Sequence, residues 1–298
     1  MQKVLSIASI LLVSSFCADA QSFYAARRER SLILVGGIGT SSYFGELTNP
    51  GDLWRAKPAL SAGLQYYINN VVSIRAEADW FQLKGDDAKA PAETGRPPRN
   101  LSFKSDNFEA NFTGHISLLP QGRRFYQRPP VNLYAFGGLG FLYFNPKTEY
   151  QGEKYALQPL QTELVKYSRF AFVIPFGLGT KFKIGPFFNL AIEGGYRVTF
   201  TDYLDDVSTF HVDAAAFSNP IAAALSDRGP EVGAKKAEVG AIRGNPKTND
   251  GYFLFSAKVE YYLPANFSIG GNSQQKLLKK KRNAFYRYNK RGGMKRRR

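Results

Sequence analysis

Four stretches of this chain alternate apolar and polar residues with a period of two. In 72–80, Val72, Ile74, Ala76, Ala78 and Trp80 are apolar, and Ser73, Arg75, Glu77 and Asp79 between them are polar or charged. Segments 108–118, 190–200 and 253–263 repeat the pattern. A pleated strand sends successive side chains to opposite faces, so each segment predicts a strand with one greasy and one charged face. Two architectures use such strands. A soluble sandwich turns the greasy face into a core, and a membrane barrel turns it to lipid and keeps the charges inside.

The N-terminus decides between them. Lys3 precedes an apolar run over 4–13, and Ala18-Asp19-Ala20 follows as a small-x-small site. This predicts an export signal, residues 1–20, cleaved before Gln21. The apolar run is shorter than the ~20 residues that span a bilayer. Phe16, next to Cys17, is too bulky for a lipoprotein site. The mature chain then has no cysteine, so disulfides cannot hold it, and two histidines exclude a Cys/His zinc site. A 14% aromatic content and 28 glycines in 298 residues exclude a disordered chain and suit an all-β one.

Further strands are expected over 31–42, 58–68, 131–144 and 169–183. The connections then alternate. Those at 43–57, 84–106, 145–168 and 201–251 are mostly long, and those at Asn69-Asn70, 120–130 and 184–187 are mostly short. Short turns on one side and long loops on the other are the outer-membrane pattern. Paired aromatics at the strand ends (Tyr66 and Tyr67, Trp80 and Phe81, Tyr143 and Phe144, Tyr261 and Tyr262) read as interface girdles. The expected fold is an eight-stranded antiparallel transmembrane (outer-membrane) β-barrel with a flexible basic C-terminal tail. Its parts are the signal peptide (1–20), a periplasmic lead-in (21–30), the barrel (31–265) and the tail (266–298). An even strand number puts both termini in the periplasm.

The predicted inward set is Arg75, Glu77, Asp79, Glu109, Asn111, His115, Glu193, Arg197, Lys258 and Glu260. Eight strands leave room for packed side chains and little else, so these charges are expected to pair as a structural core. A proton path or small ligand site is the functional alternative, and no pore is expected. In-strand glycines (Gly36, Gly37, Gly39, Gly137, Gly138, Gly140, Gly177, Gly179, Gly194, Gly195) read as sites of curvature. Gly37-Ile38-Gly39 lacks the third glycine of a nucleotide fingerprint.

His115 near Ser117, and His211 past Asp202, Asp205 and Asp206, are the only handles for a hydrolase. No nucleophile elbow accompanies them, so no enzyme and no cofactor are expected. Asp202, Asp205 and Asp206 could hold a divalent cation with lipopolysaccharide, but such oxygen clusters are common at strand ends and no metal site is assigned.

Of the formal net charge of +16, the tail holds twelve bases and no acid: Lys276, Lys279, Lys280, Lys281, Arg282, Arg287, Lys290, Arg291, Lys295, Arg296, Arg297 and Arg298. The signal is net zero, so the body carries 16 − 12 = +4. In a cytosolic protein such a tail would suggest nucleic acid; export argues against that. With Phe285, Tyr286 and Tyr288 as anchors, it reads as a partner-binding arm. Adhesion to anionic lipid headgroups or wall polymer, and a merely solvated tail, are the alternatives. Arg123, Arg124 and Arg128 in the 120–130 turn are a second candidate contact.

Several segments are familiar together: Gly36-Gly37-Ile38-Gly39 running to Tyr43-Phe44-Gly45-Glu46-Leu47, Pro175-Phe176-Gly177-Leu178-Gly179-Thr180-Lys181, and Gly195 to Ser208 with its Thr-Asp-Tyr-Leu-Asp-Asp-Val-Ser run. Over roughly 30–265 the chain resembles the small outer-membrane barrels of Bacteroidota that include PorG of the type IX secretion system. The resemblance implies an accessory barrel that contacts a periplasmic PorK–PorN ring, without catalysis, and it assigns that contact to no named residue. The rival expectation is a surface-facing barrel that binds ligands or lipids through its long loops, with the tail tethering it to the wall.

Overall fold

The alternating segments close into a barrel. The computed structural model describes residues 30–49, 56–122 and 125–264. Ten strands occur among them: β1 (Leu32–Phe44), β2 (Lys57–Tyr67), β3 (Val72–Asp86), β4 (Ser102–Ser117), β5 (Val131–Tyr143), β6 (Pro146–Tyr150), β7 (Glu153–Ala156), β8 (Phe170–Lys183), β9 (Phe188–Thr199) and β10 (Gly251–Tyr262). Eight form the wall in the order β1-β2-β3-β4-β5-β8-β9-β10. All neighbours are antiparallel, and β10 pairs with β1 to close the ring. The expected signal peptide, most of the lead-in, Arg123, Arg124 and the whole tail lie outside the described residues.

Side-chain direction identifies the kind of barrel. On β3, Ser73, Arg75, Glu77 and Asp79 are buried inside, while Ala76 and Ala78 face out. Ile38, Phe141 and Leu178 are 66–70% exposed on the outer wall. In water so much bare apolar surface would drive association. In a bilayer it is the lipid-facing band. Polar inside and apolar outside is the reverse of a soluble sandwich.

The connections from β1 to β2, β3 to β4, β5 to β8 and β9 to β10, all long, leave the wall at one end; the mostly shorter ones from β2 to β3, β4 to β5 and β8 to β9 leave it at the other, where β1 begins and β10 ends. Two boundaries differ from expectation. Strand β4 begins at Ser102 and β3 runs on to Asp86, inside the expected 84–106 loop. There Gln82, Lys84, Lys104 and Asp106 face outward, so a reading that follows a greasy face stops too early. The 144–169 loop also contains the β6–β7 hairpin, turned at Gln151 and Gly152, both at positive φ as a tight hairpin turn requires. Loop 200–250 carries a short helix, α1 (Pro220–Ser226), capped by the Asn219 side chain on the Ile221 amide at 2.9 Å.

The paired aromatics split between the two faces, as period two dictates. Phe81, Phe144 and Tyr262 are fully buried, and Tyr67 faces the Lys181 ammonium inside the barrel. Of each pair, the partner (Trp80, Tyr143, Tyr261 or Tyr66) is the one on the outer wall. Trp80, Phe108, Tyr143 and Phe170 are joined in register across β3, β4, β5 and β8. Some glycines serve close approach as well as curvature. A Cβ on Gly179 would sit 2.4 Å from the Tyr134 ring, and one on Gly195 would sit 2.7 Å from Phe136. The missing side chains make room for two lumen aromatics.

Candidate functional site

Inside the wall the charges meet at mid-barrel. Arg75 reaches Glu193 at 2.6 Å, Glu260 at 3.2 Å and Glu77 at 3.5 Å. Its Nε and Nη2 donate to Gln65 Oε1 at 3.0 and 2.8 Å. Lys258 pairs with Glu77 and, at 2.8 Å, with Glu193. Lys181 meets Glu260 at 2.7 Å, and Arg197 faces Glu109 at 3.6 Å. Tyr134 donates to Glu193 at 2.5 Å and Tyr252 to Glu109 at 2.7 Å. Asn111 bridges Asp79 and Glu109 at 2.8 and 2.9 Å. Buried charges persist only when paired and hydrogen-bonded, and each carboxylate here has at least one such partner.

All nine charged or histidine residues of the predicted inward set are buried in the lumen. Sequence reasoning missed Lys181. Strand β8 is apolar on both faces and glycine-rich, so its inward parity is not visible from its own residues. Gln65, Tyr134, Asn189 and Tyr252 were missed for the same reason. Isolated polar residues carry no alternation.

His115 lies in the lumen within reach of the Glu193 charge. Its Nε2 shares a hydrogen bond with Thr113 Oγ1 at 3.0 Å, and its ring stacks on Phe136 at 5.4 Å. The hydroxyl bonded to His115 is that of Thr113, not of Ser117. At His211 the backbone amide donates to Ala241 O and the carbonyl accepts from Gly240, both at 2.8 Å.

Both ends of the lumen are stoppered. At the short-turn end, Phe125, Phe187 and Tyr262 pack with Ile33 and Val35. Arg30 lies 4.3 Å over the Phe187 ring. Arg128 donates to Asn189 Oδ1 at 2.6 Å and to the carbonyls of Phe125, Gly185, Pro186 and Phe188 at 2.8–3.0 Å. Arg128 is therefore buried structure, which removes it as a contact for a partner; burial away from water also lowers its pKa from the usual guanidinium value.

At the long-loop end, Leu47, Leu101, Phe144, Leu157, Leu204, Val207 and Leu225 descend from all four loops onto Phe81, Phe103 and Tyr252 of the wall. Glu163 ties the cap together. It accepts from the Ser208 and Thr209 amides at 3.0 Å and pairs with Arg243 at 2.6 Å. Arg243 also donates to Asp206 O at 2.7 Å, and Arg99 donates to Arg243 O.

The aspartates of the 201–208 run do not form one cluster. Asp206 accepts from Thr162 at 2.5 Å and Tyr167 at 2.6 Å, and burial lifts its pKa to about 6. Asp205 and Asp250 flank the Tyr43 hydroxyl at 2.8 and 2.5 Å. One hydroxyl proton cannot serve two carboxylates, so one of these acids carries a proton. Burial raises both. Asp202 turns instead toward Glu46 and Asp250, and burial, with Glu46 and Glu163 nearby, pushes it up to about 7.

Fold and interior define a class: a small, closed membrane barrel with a packed lumen. The sequence matches the outer membrane protein beta-barrel domain family over residues 8–216, and the chain belongs to that family. It is a protein of the outer membrane. Solved structures are similar at low identity and low TM-score. OprG of Pseudomonas aeruginosa is 10% identical at a TM-score of 0.40, covering 80% of this chain and 98% of its own. Neisserial surface protein A is 11% identical at 0.39, covering 78% and 97%. The outer membrane enzyme PagL is 12% identical at 0.30, covering 78% and 99%. No curated protein matches the sequence.

Proposed function

We propose that this chain is a non-enzymatic barrel component of a protein secretion machine, PorG-like and of type IX. It anchors a periplasmic ring of PorK/PorN-like proteins to the outer membrane. The observation that carries this reading is the lumen: salt-bridged at its middle and stoppered at both ends, it suits a scaffold rather than a conduit. With the short turns periplasmic, as is usual in such barrels, both termini lie in the periplasm. The basic tail then extends from β10 on that side, and its charge suits capture of an acidic or polar partner face. Outer-membrane lipid surrounds the wall, and nucleic acid has no place in the scheme.

The test is an in-cell crosslink and pull-down from solubilised outer membranes, comparing the full chain with one stopped after Ala265. A periplasmic ring protein is expected with the full chain and is expected to be lost with the tail. Capture of no periplasmic protein by either form would overturn the proposal. The cap formed by the four loops favours a second reading, a barrel that binds ligands or lipids at the cell surface. On that reading removal of loop 204–250 abolishes function and removal of the tail is mild.

A further inference from the structure

At the long-loop end, β9, β10 and β1 lie side by side in the wall. Their ends therefore bring together residues far apart in sequence. Glu46 follows β1, Asp202 follows β9 and Asp250 precedes β10. One carboxylate oxygen from each lies within 4.8 Å of the other two. Both Asp202 oxygens are buried without a hydrogen-bond partner, in a residue only 8% exposed. Ser208 is its polar neighbour, without a hydrogen bond of proper geometry. Glu46 Oε2 is buried and unpartnered too. Gly45 keeps the space open, since a Cβ there would come 1.9 Å from Asp250 Oδ1.

Three ionised acids converging with unpartnered buried oxygens are costly unless a cation sits among them or protons neutralise them, and the binding test below separates the two. The remaining atoms are already held in place. Glu46 Oε1 accepts from the Asn245 amide at 3.2 Å, and Asp250 Oδ2 from the Leu204 amide at 2.9 Å. Arg99, whose charge acts on Glu46, is committed to Asp87 at 2.6 and 2.9 Å and to Arg243 O. We infer that Glu46, Asp202 and Asp250 form a calcium site that staples the base of the first long loop to both ends of the last.

An all-oxygen anionic donor set selects a hard divalent cation. Oxygens no more than 4.8 Å apart leave a common centre at most about 2.8 Å from each, a span that the ~2.3–2.6 Å of Ca²⁺–oxygen bonds can close. Mg²⁺, strictly octahedral and reluctant to shed its water, is less suited to an irregular set of three carboxylates. Water from the loop side completes the shell.

The test uses the full mature chain, folded in detergent, with Ca²⁺ and with Tb³⁺ as a luminescent stand-in that Tyr43, bonded to Asp250, sensitises. One saturable site is expected, at about 10⁻⁴–10⁻³ M for Ca²⁺ as in extracellular modules, and at least tenfold weaker for Mg²⁺. D202N and E46Q are each expected to weaken binding at least tenfold, and E149Q, an exposed loop acid, to leave it unchanged. Heat-modifiable gel mobility confirms that each variant barrel is folded. Absence of saturable binding up to about 10 mM Ca²⁺, tenfold above the weakest extracellular sites, would overturn the inference. So would equal affinities for wild type, D202N and E46Q in folded barrels.

Discussion

Replacing Arg75 by Met is expected to destabilise the folded barrel by about 3–5 kcal/mol, the usual cost of breaking a buried ion pair from one side. Arg75 is the hub of the interior. Without it Glu193 keeps Lys258 and Tyr134, and Glu260 keeps Lys181 and Asn189, but Gln65 loses both its acceptor contacts. Five lumen acids (Glu77, Asp79, Glu109, Glu193, Glu260) would then face three bases (Lys181, Arg197, Lys258). R75K should recover part of the loss only, because an ammonium cannot match the forked contact with Gln65 while reaching Glu193. Pairing R75M with E193Q removes one stranded charge, so the double variant should be more stable than the sum of the single costs. Urea unfolding of the barrel in lipid vesicles reads all four variants, E193Q alone included. A cost for R75M below about 0.5 kcal/mol, the range of ordinary surface substitutions, would mean that the network is not structural.

The second large effect is expected in the cap. R243M removes the cation that faces Glu163 and frees the Asp206 and Ser226 carbonyls. Glu163 retains its two amide donors, so the loss falls on the loop rather than on the wall. Limited proteolysis of folded protein should cut within 200–250 on the order of 100-fold faster, the equivalent of about 2.7 kcal/mol of local opening. The barrel fragment should keep its folded gel mobility. Unchanged cleavage would show that loop 200–250 is held by its apolar contacts alone, Leu204, Val207 and Leu225 among them.

The wall was legible because period two reports both strand and facing. In β3, β4, β9 and β10 the inward charges could be named from alternation, and six of the eight strand positions fell within two residues at each end, β3 and β4 running on by six. The reading failed where its signal is absent. Above the lipid band, β4 faces water on its outer side, and the greasy stripe ends at Phe108 while the strand continues to Ser102. Lys181 sits in a strand with no polar alternation. The loop residues that stopper the mouth, Leu47, Leu204 and Leu225, have no period at all. Glu46, Asp202 and Asp250 come together only because β10 closes onto β1, a contact across more than 200 residues that local sequence does not announce. The aromatic pairs show the converse. Their positions at strand ends were readable, but only one of each pair can face lipid.

The packed interior is the central claim, and conductance tests it most directly. Purified protein inserted in planar bilayers should show no steady channels under voltage, because side chains fill the middle of an eight-stranded lumen and both ends are stoppered. Stable, reproducible conductance steps from wild-type barrel would contradict a filled lumen and, with it, the reading of this protein as a scaffold.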